Sequence, residues 1–175
     1  MSQLRDQPAA GANGVAEPSV PAMVHTYRAG LVGGLLGGLA MVAVALIYGV
    51  LAGTVWLPVN LIGATVVREL QTAPPDVLST FQPAALVAGL VIHLALSAFL
   101  GLVFALLLPT LPGPPILWSI VIGPALWGIA SLLVLPAVNP VMAEYVDVPS
   151  FFLAHLVYGL VLGWWIARSP KIPVK

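Results

Sequence analysis

The sequence predicts an all-α integral membrane protein with four transmembrane helices, and three observations carry that expectation. Four apolar stretches, 30–52, 84–108, 116–135 and 151–167, contain no Lys, Arg, Asp or Glu. Most of them reach the ~20 residues that a helix needs to cross ~30 Å of hydrocarbon. Of the 175 residues, 60% are hydrophobic and 7% charged, whereas a soluble domain carries roughly 25% charge. Leu, Ile, Val and Phe in each stretch, at about −0.5 kcal/mol apiece near the helix centre, give on the order of −5 kcal/mol for insertion, more than an occasional Ser or His opposes.

The elements follow in order along the chain. Residues 1–24 are rich in Ala, Pro, Gly and Gln and lack apolar periodicity. They bury too little surface to offset the entropy of ordering, so a flexible tail is predicted over 1–28. The first apolar run is too long and starts too late to be the h-region of a cleaved signal peptide, which makes helix one a permanent anchor. After it, Val59, Ile62, Val66 and Leu70 recur at helical spacing and predict a short interfacial helix on the outer leaflet, with a re-entrant segment as the alternative. Pro83 and Pro149 stand at the starts of helices two and four, where a missing N–H costs nothing, and Asp147 or Ser150 is placed to cap the latter. The run Pro109-Thr110-Leu111-Pro112-Gly113-Pro114-Pro115 predicts a tight turn that sets helices two and three side by side, and Pro124 predicts a kink in helix three. The predicted transmembrane domain covers 29–168, and 169–175 forms a second tail.

Basic residues give the orientation. Arg5, Arg28, Arg168, Lys171 and Lys175 fall on one side of an even number of spans, with Arg68 alone opposite. Both termini are therefore expected in the cytoplasm. Trp56, Trp118, Trp164 and Trp165 suit the two interfaces, and Trp127 suits packing within a span.

An internal echo predicts two duplicated hairpins. Leu57-Pro58-Val59-Asn60 follows helix one, and Leu135-Pro136-Ala137-Val138-Asn139 follows helix three. Within the next helices, His93, Ser97 and Gly101 match His155, Gly159 and Gly163 at steps of four. Parallel repeats of this kind are related by an axis along the membrane normal. The same steps put Gly89, His93, Ser97 and Gly101 on one helix face and His155, Gly159 and Gly163 on another. Gly30, Gly34 and Gly38, with Gly33 and Gly37 beside them, line helix one. Small residues let helix backbones approach closely, so all these positions are expected to pack helices, within the bundle or between subunits.

The two intramembrane histidines are the candidates for chemistry. His93 and His155 lie about 24 and about 22 Å from the inner ends of their helices, close to one depth. Their principal expected role is structural, as hydrogen-bonding partners of Ser97, Asn60, Asn139 or Tyr158. Bis-histidine ligation of a haem b and a proton or solute pathway are the alternatives. No metal site is expected from two imidazoles without a carboxylate or thiol in the spans. No cysteine is present, so no disulfide or thiolate cluster forms. The glycines of helix one lack the spacing of a nucleotide loop, and neutral net charge argues against nucleic acid.

The pattern Phe151-Phe152-Leu153-Ala154-His155-Leu156-Val157-Tyr158-Gly159-Leu160-Val161-Leu162-Gly163, followed by an aromatic pair and a basic tail, resembles small uncharacterised bacterial inner-membrane proteins of four helices. The resemblance implies a bacterial plasma membrane and paired hairpins, and assigns no site residues. The expected function is that of a non-catalytic subunit or accessory component of a larger membrane complex, respiratory among the options, or of a self-associating module. Lipid and other membrane subunits, or further copies of the chain, are the expected partners. A small channel or transporter and the haem b carrier are the alternatives, and no enzyme activity is expected.

Overall fold

A computed structural model describes residues 22–174. Most of the predicted tail, 1–21, and Lys175 lie outside the described residues. Four helical segments, Tyr27–Leu51, Pro83–Thr110, Pro115–Val138 and Val148–Arg168, are long and apolar enough to cross a membrane. Large apolar side chains such as Val91, Leu106, Leu132 and Leu133 stand exposed on their outer faces, where lipid rather than water suits them. The chain is an all-α membrane protein.

The first span is α1, Tyr27–Leu51, which begins where the Thr26 hydroxyl accepts the Ala29 N–H at 3.3 Å and ends in a turn at Gly53, φ +69°. A cap follows: α2, Trp56–Gly63, a 3₁₀ turn, Arg68–Thr72, and α3, Pro75–Leu78. The second span is α4, Pro83–Leu107, closed by a 3₁₀ turn through Pro109. The third span is composite: α5, Pro115–Ile129, a π-helical turn, Ala130–Val134, and α6, Leu135–Val138. A second cap helix, α7, Pro140–Tyr145, leads to the fourth span, α8, Val148–Arg168, where Asp147 accepts the Ser150 N–H at 2.8 Å.

At the opposite end from the cap, β1, Met23–His25, pairs antiparallel with β2, Lys171–Pro173. Both flanks of the bundle therefore leave at one end, called here the ribbon end. The stretch 22–28, expected to belong to a flexible tail, is instead a strand and the first turn of α1. Two neighbouring chain ends with free backbone groups satisfy each other by pairing.

Glycines decide which helices touch. α1 is the central helix and uses two stripes. Gly30, Gly34 and Gly38 seat against Ser97, Gly101 and Ala105 of α4, while Gly33 and Gly37 seat against Tyr158, Leu162 and Trp165 of α8. α8 turns Gly159 and Gly163 onto Ser119, Gly123 and Ile116 of α5. Packing thus runs α4, α1, α8, α5. Helices two and three, expected side by side, share no extensive interface despite the short turn between them. Neither presents a stripe of small residues to the other: Ser97 and Gly101 face α1, and Gly89 faces Gly63 and Val59 of the cap.

The cap packs onto the bundle through buried side chains. Asn60, Leu61 and Ala64 are buried, and Gly63 lies against Ala85 at the start of α4. Amides hold it there. Asn60 Nδ2 donates to the carbonyls of Leu78 and Thr80 at 2.9 and 2.6 Å, and Asn139 Nδ2 donates to Leu61 O at 2.7 Å and Thr65 Oγ1 at 2.9 Å. Gln71 bridges Ala64 O and Asn139 Oδ1, and Arg68 reaches Val138 O. Irregular backbone at the edge of a bilayer needs such internal partners.

Candidate functional site: a pocket beneath the cap

The missing contact between α4 and the third span leaves a cavity of about 240 Å³. All four spans and both cap layers line it. Its walls are mostly aliphatic, from Met41 and Ala45 of α1, Ile92, Leu96 and Leu100 of α4, Leu126 of α5 and Phe151 and Ala154 of α8. Leu61, Asn139 and Met142 contribute from the cap, and Asp147 and Tyr48 sit among the residues nearest it.

The third span gives way where it borders this space. Ala130 and Val134, both in the π turn, line the cavity. Pro136 has no N–H for the carbonyl four residues before it, so the ladder shifts and the Leu135 N–H bonds Ala130 O instead. Single π turns of this kind are common at functional sites. No sequence expectation anticipated it, although Pro136, directly after the apolar run 116–135, was the available signal.

Both predicted histidines line this one cavity. Each is held by a backbone carbonyl, not by the side chains expected. His93 Nε2 is 3.0 Å from Gly38 O, across the α1–α4 contact, and His155 Nδ1 is 2.8 Å from Phe151 O, one turn earlier in its own helix. A carbonyl only accepts, so Nε2 of His93 and Nδ1 of His155 each carry a hydrogen. Asn60 and Asn139 are engaged by the cap, and Ser97 offers its carbonyl to the Tyr158 hydroxyl at 2.8 Å. The physical reason is proximity: glycine at position 38 leaves its carbonyl uncovered where His93 arrives.

The Tyr158–Ser97 bond marks the floor. Below it, towards the ribbon end, Phe104, Leu162 and Ile166 are almost wholly buried and fill the bundle. The cavity is therefore closed in that direction. The remaining predicted packing residues, Gly30, Gly34, Gly38, Gly89, Ser97, Gly101, Gly159 and Gly163, all act inside the chain, at the contacts described above.

Each neutral imidazole keeps one lone pair, on Nδ1 of His93 and on Nε2 of His155, while its other ring nitrogen donates to a carbonyl. Among the described residues, no three His, Asp or Glu side chains come together as a metal site.

Residues 24–175, which include all four spans, the cap and all of the ribbon but Met23, match the Family of unknown function (DUF6789). The chain belongs to that family. No curated protein and no solved structure matches it significantly. The pocket and its two histidines lie wholly within the matched region.

Proposed function

We propose that this member of the DUF6789 family is a non-catalytic membrane component that takes up a small lipophilic molecule from the bilayer. The observation that supports it most is the apolar cavity where α4 and the third span part. Small-molecule pockets are typically apolar, with a few convergent polar groups, and lie between helices of bundles. His93, His155 and Asn139 are those groups here.

Around this pocket we place the remaining proposals. The protein resides in a bacterial plasma membrane with the ribbon end in the cytoplasm, on the strength of the basic residues Arg28, Arg168 and Lys171 there. Its two hairpins descend from one unit. Supporting this, Gly30 and Gly34 meet Gly101 and Ser97 in one hairpin as Ser119 and Gly123 meet Gly163 and Gly159 in the other. It serves as an accessory component of a larger complex, not through the glycine stripes, which are used internally, but through the third span. Only 11% of that span's most apolar window is buried against its own chain, compared with 33% for the first and last.

A transporter is the second reading, favoured by the polar groups in the cavity. It requires the Tyr158–Ser97 floor and the packed layer beneath to open. The pocket reading is tested by purifying the protein in mild detergent and identifying small molecules that accompany it by mass spectrometry. A near-stoichiometric lipophilic compound, lost when Ala130→Trp fills the cavity, is expected. Equal recovery from both proteins, or no compound from either, contradicts the proposal.

A further inference from the structure

We infer that the pocket selects a lipophilic alcohol or phenol, whose hydroxyl hydrogen is accepted by Nε2 of His155. The inference rests on the pocket reading above and adds the chemistry of the head group. The Phe151 carbonyl holds the hydrogen on Nδ1 of His155 at 2.8 Å. A neutral imidazole has one ring hydrogen, so Nε2 carries the lone pair. That atom has no protein hydrogen-bond partner and is not sealed off by its neighbours, and the residue itself is 9% exposed. His155 is one of the residues that line the cavity.

Several donors of the surrounding wall are already engaged elsewhere. The Tyr158 hydroxyl donates to Ser97 O, His93 Nε2 to Gly38 O, Ser150 Oγ to Asp147 O, and the Asn139 amide to Leu61 O and Thr65 Oγ1. An open acceptor on an apolar wall gains a hydrogen bond from a ligand hydroxyl. An ether of the same shape supplies none.

Charge narrows the class further. No Lys or Arg lines the cavity, and Asp147 is its formally charged residue among those described. A carboxylate or phosphate head group therefore finds no cation there and meets a like charge. The pocket favours a neutral hydroxyl over an anionic lipid head.

The test compares geraniol with geranyl methyl ether, geranylamine and geranic acid, by equilibrium dialysis against protein-containing and empty lipid nanodiscs. Geraniol is expected to bind at least about tenfold more tightly than the ether and the acid. In His155→Leu the alcohol-to-ether ratio should fall to about one while the ether still binds, which shows the pocket intact. On the wild-type protein, ¹⁵N NMR should show the His155 Nε2 resonance shifting with geraniol and not with the ether, a readout independent of the variant's folding. Equal binding of alcohol and ether, or an unmoved Nε2 resonance, overturns the head-group assignment and leaves the pocket standing. Tighter binding of the amine moves the recognition to Asp147 and overturns it equally. Failure of all four probes to bind overturns the pocket reading itself.

Discussion

Gly101 shows how much of this bundle is decided by single atoms. A Cβ there would lie 2.6 Å from the Gly34 Cα and 2.8 Å from its N, so backbone, not a movable side chain, stands in the way. Gly101→Leu is expected to force α1 and α4 apart at a cost of about 1–3 kcal/mol. Unfolding by SDS titration in mixed micelles should show it, and an unchanged midpoint would remove these glycines as the determinants of packing. Tyr158→Phe should cost far less, about 0.6 kcal/mol, because a single hydrogen bond within a membrane bundle contributes little on average. His25 lies outside the spans, in β1 against Lys171, and has no partner for either ring nitrogen. Burial, with a smaller contribution from the Lys171 charge, holds its pKa below the usual 6.5. The paired ribbon thus binds fewer protons than the open one. Its stability is fully present above pH 6.5 and is lost as pH falls below that value towards the lowered pKa. Hydrogen-exchange protection of residues 23–25, corrected for intrinsic rates, should drop from pH 7.5 to pH 5.5, and should lose that dependence in His25→Phe.

The elements differ in what fixes them. The four spans were readable from composition because a helix in lipid must satisfy every backbone group within itself and show apolar side chains outward. The glycine stripes were readable for the same reason, as close approach needs small residues at steps of four. The cap was not. Asn60 finds its acceptors 18 and 20 residues away, and Asn139 finds Leu61 at a separation of 78, and no local spacing encodes such pairs. Asn139→Leu is therefore expected to destabilise the cap by about 1–3 kcal/mol, since Leu61 O and the Met142 N–H lose their partner. Proteolysis in the 64–82 connection should accelerate, and an unchanged cleavage rate would mean that the amides do not hold it. Pro136 makes the π turn a local property of the third span. Pro136→Ala restores an N–H and should let an α-ladder form, narrowing the pocket and weakening ligand binding severalfold.

At the scale of the whole molecule, the order of packing matters more than the order of the chain. Consecutive spans two and three are joined by a short proline-rich turn, yet lie at opposite ends of the row α4, α1, α8, α5. The pocket is the space that this order leaves open. Both histidines were visible in the sequence as ionisable groups inside apolar helices. That they border one cavity was not, because a cavity is an absence of packing between elements and has no residue of its own. The central claim is that this space is reached from lipid and occupied by a lipophilic molecule. It is tested most directly by photolabelling native membranes with a diazirine-bearing prenyl alcohol and mapping the adducts by mass spectrometry. Adducts concentrated on Met41, Leu100, Leu126 and Ala130, and suppressed by excess geraniol, are the expected result. Adducts spread evenly over the exposed faces of α4 and α5, with no competition, would contradict it.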